Sequence, residues 1–245
     1  DASRGLGDVY KRQLLIILGV AMIVPVVFQL IYNEFDSTFI ASGIITITFG
    51  ILFFLSNIDH LKLINTQQAF LLTALSWLSI ATFGSLPFFF SGLDLSITDS
   101  FFESMSGITT TGATILNNIE SSPKGILMWR SMLQWLGGIG VILMAITLMP
   151  IMNIGGMQLL KISAYDNSDK ILPKSKEISK RLITVYITLT FLCALFYKIF
   201  GMNNFDSLTH SMTTIATGGF SNYDQSIGYF NNCLLYTSDA ADDAS

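Results

Sequence analysis

The sequence predicts an all-α polytopic membrane protein. It is built from repeats of helix, short re-entrant helix, Thr/Gly loop and helix, preceded by two extra transmembrane helices. Three observations predict this class. Hydrophobic residues fill 51% of the 245 positions and charged residues only 12%, with a mean hydropathy of +0.57, whereas a soluble domain carries about 25% charge. Stretches 14–32, 38–56, 68–91, 125–152 and 182–200 are apolar and close to the roughly 20 residues that a helix needs to cross a bilayer. Finally, a segment of sixteen residues occurs twice, once between two of these stretches and once after the last.

Each apolar stretch must be helical or part of a closed barrel, because hydrocarbon offers backbone groups no partner. Continuous apolarity without strict alternation excludes the barrel. Orientation follows from the basic residues Lys161, Lys170, Lys174, Lys176, Lys180 and Arg181, which the positive-inside rule assigns to the cytoplasm. Counting back, 92–124 faces outward, 57–67 with Lys62 inward, 33–37 with Glu34 and Asp36 outward, and the N-terminus is cytoplasmic. The lysine run reads first as a topology signal; docking of a cytoplasmic partner is the alternative.

The two ends read as foreign. In suitable codons, Asp8-Val9-Tyr10-Lys11-Arg12-Gln13 is the reverse complement, out of frame, of Cys233-Leu234-Leu235-Tyr236-Thr237-Ser238. Such an inverted pair resembles the transposon-end tag of sequencing libraries, so 1–13 and 233–245 are expected to be non-native. Setting them aside lowers thirteen basic and seventeen acidic residues to ten and twelve, and leaves Cys193 without a cysteine partner in the remainder. A lone cysteine in an apolar run reads as a small core residue.

The recurring segment carries the chemistry. Asp99–Thr114 (DSFFESMSGITTTGAT) and Asp206–Ser221 (DSLTHSMTTIATGGFS) align without a gap at a spacing of 107, identical at seven of sixteen positions. Segment 92–124 is too short and polar to span, so a half-helix that enters and returns is expected. A Thr/Gly loop behind such a helix suits a cation filter. Closely spaced backbone carbonyls can replace an ion's water shell, and glycine reaches the dihedrals that aim them without a steric penalty. The half-helix directs the negative end of its dipole at the ion. An exposed turn would not need to occur twice at equivalent positions between spans.

The segments FFESMSGITTTGAT (101–114), WRSMLQWLGGIGVILMAITLMP (129–150), GGMQL (155–159), TTIATGGFSNYD (213–224) and ALSWLSIATFGSLPFFFSG (74–92) resemble the Trk/Ktr/HKT cation transporters, and specifically their TrkH-like membrane subunits. The resemblance covers essentially all of 14–232. It implies a potassium-channel-like fold in which four repeats surround one potassium path. It places the selectivity filter at Thr109, Thr110, Thr111, Gly112, Ala113, Thr217, Gly218, Gly219 and Phe220, with K+ held by the backbone carbonyls of Thr110, Thr111, Gly112, Thr217, Gly218 and Gly219. It further implies a homodimer in the bacterial inner (plasma) membrane, in contact with lipid, and a cytoplasmic nucleotide-binding regulatory subunit. No cofactor beyond the transported ion and no nucleic acid are expected. Sodium or mixed monovalent transport is the alternative within the family. NTQQAF (65–70) and KISAYD (161–166) depart from the family pattern on the cytoplasmic side, where partner docking would occur.

The expected organisation is therefore 1–13 non-native, 14–66 two leading transmembrane helices, 67–152 a first pore repeat, 153–181 a cytoplasmic loop, 182–232 a truncated second pore repeat, and 233–245 non-native. As one part of a four-repeat pore, the chain alone is not expected to transport.

Other residues admit two readings each. Asp94, Asp99, Glu103 and Glu120 face Lys124 alone in the outer segment, which makes a cation-concentrating mouth; Asp99 and Asp206 equally suit helix starts. Arg130 reads as a packing or snorkelling residue or as an ion gate. Gly137, Gly138 and Gly140 permit close packing or a break near the pore. Trp77, Trp129 and Trp135 read as interface or packing aromatics, and His60 and His210 as isolated. A membrane enzyme is the competing class, but no G-x-S-x-G occurs and a duplicated site argues against chemistry. A polytopic scaffold would not need paired Thr/Gly loops.

Overall fold

The computed structural model describes residues 6–56, 66–152 and 171–230, and these contain helices, turns and loops but no strand. Helices α1 (Leu6–Ala21) and α2 (Ile23–Ile31) form one bent rod, followed by α3 (Thr38–Ser56). Helix α1 begins inside the N-terminal stretch expected to be foreign. The bend at Met22 lies just ahead of Pro25, whose ring lacks an N–H and collides with the carbonyl four residues back. The same cause separates α4 (Thr66–Gly84) from α5 (Leu86–Phe90), where Pro87 occupies the first turn of α5. Next come α6 (Ile97–Ile108), α7 (Lys124–Met152), α8 (Ile171–Ile199) and α9 (Asn204–Ile215), with short 3-10 turns at Ile119–Ser121 and Ser226–Phe230.

Leu14–Ile31, Thr73–Phe90, Lys124–Met144 and Ile178–Ile199 are long and apolar enough to cross a membrane, and Thr38–Leu52 is a shorter apolar helix. The five expected crossings thus fall on α1–α2, α3, α4–α5, α7 and α8. One boundary differs. Helix α8 starts at Ile171, well inside the expected 153–181 loop, because Leu172, Lys174, Lys176, Glu177, Lys180 and Arg181 are good helix formers. At 29 residues each, α7 and α8 are about 43 Å long and outreach a hydrocarbon core of about 30 Å. The GGMQL and KISAYD motifs, His60, Lys62 and 233–245 lie outside the described residues.

Helix α7 is the centre of the molecule. Ile126, Leu127, Met128, Trp129 and Leu133 are all buried, packed with Phe39, Phe88, Ile108 and Phe205 from the surrounding helices. The Trp129 indole donates to the Gly84 carbonyl at 2.9 Å, where α4 gives way to α5. Helices α1 and α3 approach closely at Gly19 and Gly43; a Cβ on Gly19 would sit 3.2 Å from the Gly43 carbonyl oxygen. Helix α8 is the reverse of α7. Only 17% of its apolar span is buried, and Val185, Leu189, Phe191 and Phe196 face outward, as lipid contact requires.

Candidate functional site: two Thr/Gly loops braced by one helix

The duplicated segments form duplicated structure. Helices α6 and α9 have twelve residues each, about 18 Å, too short to span. Both begin on a side-chain cap. Ser96 Oγ accepts from Asp99 N at 3.1 Å while Asp99 Oδ2 accepts from Ser96 N at 3.2 Å, and Asn203 Oδ1 accepts from Asp206 N at 2.8 Å. The helix-start reading of Asp99 and Asp206 is the one realised.

Both helices end in the same way. Thr110 N donates to Gly107 O and Thr111 N to Ser106 O; 107 residues later Thr217 N donates to Thr214 O and Gly218 N to Thr213 O. This paired closure places the residue just past the cap in the left-handed region, with φ 57° at Thr110 and 52° at Thr217. Glycine is the usual occupant of that position. A β-branched residue there is a true outlier and costs on the order of 1–3 kcal/mol. Two residues on, Gly112 and Gly219 again have positive φ, 80° and 75°. The two loops lie backbone against backbone: a Cβ on Gly112 would sit 2.1 Å from Gly218 O and 3.7 Å from Gly219 Cα.

The expected filter residues divide by environment. Thr111, Ala113 and Thr217 are exposed, Thr109, Thr110, Gly112 and Gly219 half-buried, and Gly218 and Phe220 buried. Among the described residues, the carbonyls of Thr110, Thr111, Gly112, Thr217 and Gly219 accept no hydrogen bond, whereas Gly218 O accepts from Gln134 Nε2 at 2.8 Å. Ala113 O is held by Ser106 Oγ at 2.5 Å, and Thr109 Oγ1 lies 2.8 Å from Thr111 Oγ1.

Behind the loops the side chains differ. In the first, Glu103 accepts from Thr114 Oγ1 at 3.0 Å and from Ile115 N at 3.1 Å. Arg130, 1% exposed, pairs with Glu103 at 2.7 Å. It also donates to Thr114 Oγ1 and to Ser221 O in the second loop, both at 3.0 Å, and lies 4.2 Å from the centre of the Phe220 ring. In the second loop the equivalent of Glu103 is His210, whose Nε2 is 3.1 Å from Ser221 Oγ, the equivalent of Thr114. Asp206 adds contacts from Asn222 Nδ2 at 2.8 Å and Tyr223 Oη at 2.7 Å. Burial, and then the bond to Asp206, push the Tyr223 phenol well above its ordinary range. Asp224 Oδ1 accepts from Ile119 N at 3.0 Å, joining the outer segments of the two repeats.

Several sequence readings change here. Arg130 is neither at the surface nor snorkelling; it is sealed against Glu103. Glu103 is accordingly not part of an acidic mouth, since its carboxylate is buried and neutralised. Gly137 and Gly138 serve packing, and the partner is specific. A Cβ on Gly137 would lie 2.0 Å from Ile108 O at the end of α6, and one on Gly138 3.2 Å from Ala216 Cα at the end of α9. Arg130, Gln134, Gly137 and Gly138 thus form one stripe of α7 at helical spacing that supports both loops. Sequence reasoning missed Gln134 and His210. A polar side chain one turn beyond an arginine in an otherwise apolar span was the available signal.

These features define an all-helical membrane protein with paired pore-helix and Thr/Gly-loop units. Residues 36–238 match the family described as TrkH, cation transport protein. The chain is 41% identical over 227 residues to the Trk system potassium uptake protein TrkH of Halomonas elongata, and 40% identical over 228 residues to that of Escherichia coli K12. In each case the match covers 91% of this chain and 47% of the relative. The crystal structure of the potassium transporter TrkH from Vibrio parahaemolyticus superposes with a TM-score of 0.82 at 34% identity, covering 96% of this chain and 48% of that one. The chain belongs to the TrkH cation transport family, and it spans about half the length of the curated relatives it matches.

Proposed function

We propose that this chain supplies two arcs of a potassium-uptake path across the bacterial cell membrane. The observation that carries the reading is the repeated loop: in both copies a threonine is kept in the costly left-handed conformation, followed by a positive-φ glycine, and among the described residues the loop carbonyls other than Gly218 O accept no hydrogen bond. The left-handed residue turns the loop off the helix axis, and a partnerless carbonyl is free to replace water on a dehydrated cation. The ion ligands in this reading are the carbonyls of Thr110, Thr111, Gly112, Thr217, Gly218 and Gly219. Helices α6 and α9 end at the loops, adding the negative ends of their dipoles.

The relatives are named Trk system potassium uptake proteins, and that name supports potassium as the ion here. Family membership also supports a homodimer, a cytoplasmic nucleotide-binding regulatory subunit and a cytoplasmic N-terminus. The full-length protein, expressed in a bacterium lacking its own potassium uptake, should restore growth at low potassium, with cell K+ accumulating in preference to Na+. No rescue at normal membrane abundance, or equal uptake of both ions, would refute potassium selection. Cysteine placed at Glu120 should label from outside the cell and cysteine at Lys180 should not; the opposite pattern reverses the orientation.

A further inference from the structure

Gln134 is fully buried on α7, and both ends of its amide are committed to one short piece of the second loop. Its Nε2 donates to Gly218 O at 2.8 Å and its Oε1 accepts from Phe220 N at 3.2 Å. Exchanging the two ends would set donor against donor and acceptor against acceptor, so the amide has one orientation. The first loop has no counterpart: among the described residues, no donor reaches the Thr111 carbonyl, the equivalent of Gly218. Gly218 also differs from Gly112 and Gly219, because its φ is not positive. What a side chain at Gly218 would meet is Gln134 itself, with Cδ and Oε1 at 2.4 Å and Nε2 at 2.8 Å from the added Cβ. Residue 218 is glycine to admit the amide, not to bend the chain.

We propose that Gln134 is a specificity-determining positioning residue, which fixes the Gly218–Phe220 segment and shares the Gly218 oxygen with the transported ion. The inference rests on the cation-filter reading. A carbonyl that already accepts a strong hydrogen bond offers less electron density to a cation and cannot rotate freely. One side of the filter is therefore both weaker and stiffer than the other. Loss of the clamp frees the Gly218 peptide to turn and to follow a smaller ion, so discrimination falls.

The test uses the full-length protein reconstituted in vesicles, with K+ and Na+ uptake measured side by side and normalised to inserted protein. Gln134→Met keeps the volume but removes both hydrogen bonds. Loss of about 1.4 kcal/mol, within the net range of two hydrogen bonds, gives about a tenfold fall in the K+ to Na+ ratio. A purely structural role would lower abundance and leave the ratio alone, so a wild-type ratio in Gln134→Met overturns the proposal. Gly218→Ala supplies the second arm. It should impair folding or selectivity in the wild-type background and be largely relieved when combined with Gln134→Ala, since the obstructing amide is then gone. Equal damage in both backgrounds also overturns the proposal, and this arm decides if Gln134→Met fails to accumulate. Should the wild-type protein itself show no preference between K+ and Na+, the potassium reading fails, while relief of Gly218→Ala by Gln134→Ala, read as abundance, still reports the clamp.

Discussion

Replacing Glu103 by Gln should be among the most damaging conservative changes in this protein. The Glu103 and Arg130 side chains are 0% and 1% exposed and meet at 2.7 Å. The guanidinium also donates through Nη1 to Ser221 O and through Nη2 to Thr114 Oγ1. Glutamine preserves the shape but leaves the Arg130 cation buried without its counter-charge, and breaking one side of a buried pair costs about 3–5 kcal/mol. Replacing both, as Glu103→Gln with Arg130→Met, removes the stranded charge. What remains is the loss of donors to Ser221 O and Thr114 Oγ1, about 1–3 kcal/mol. The double variant should therefore be more stable than Glu103→Gln alone, with a coupling of about 2 kcal/mol or more between the sites. Thermal unfolding of the detergent-solubilised full-length protein, followed by intrinsic fluorescence, measures all four members of the cycle. Glu103→Gln within about 1 kcal/mol of wild type, or additive effects in the double variant, would refute the brace.

Gly219→Ser should lower the K+ to Na+ uptake ratio, because φ there is 75°, while Gly140→Ala, whose added Cβ meets only the Trp77 ring at 3.6 Å, should leave it unchanged. Gly137→Ser should not yield folded protein in the membrane, since the new Cβ would lie 2.0 Å from Ile108 O; normal abundance would contradict that packing. Thr217→Gly should relieve backbone strain and leave thermal stability equal or higher by up to about 1 kcal/mol, yet reduce selectivity; a destabilised, fully selective variant would contradict the strain argument. Burial and the bond to Asp206 should keep Tyr223 protonated at pH 10, the ordinary tyrosine midpoint. With the folded phenol raised above its unfolded value, its stabilisation is complete below that pH and fades as pH rises through the higher folded value. Ultraviolet alkaline titration should thus give Tyr223→Phe the same absorbance change as wild type near pH 10, and a smaller change would refute it.

The parts of the fold set by one dimension of sequence were legible. Apolar length located the crossings, and the 107-residue repeat located both half-helices, whose ends carry the same offset at Ile97/Asn204 and Ile108/Ile215. Gly112 and Gly219 both have positive φ, a region that glycine reaches without a steric penalty. The braces were not legible, since they depend on which helix backs the loops. Nothing in the spacing of Glu103 and Arg130 along the chain brings them together; the crossing of α6 on α7 does. Gly137 was ambiguous for the same reason, as its neighbour is the last carbonyl-bearing turn of α6. Helix α8 began early because the charge run that marks a cytoplasmic segment is also good helix-forming sequence.

What is duplicated here is a backbone device, and what differs is how each copy is held. The helix cap, the left-handed threonine and the positive-φ glycine recur in both repeats. The position behind them carries a carboxylate in one and an imidazole in the other, each tethering the equivalent hydroxyl, Thr114 or Ser221. The choice has a consequence. The sealed Glu103 carboxylate is matched by a cation that α7 supplies as Arg130, and that arginine then reaches across to the Ser221 carbonyl and the Phe220 ring. The His210 imidazole needs no such cation: its Nδ1 lies 2.9 Å from Asp206 O and its Nε2 3.1 Å from Ser221 Oγ. The first brace therefore binds both loops, whereas these two contacts of His210 lie within the second repeat. A change at Glu103 should disturb the whole site through Arg130, whereas His210→Gln should disturb the second loop and leave the Glu103–Arg130 pair standing.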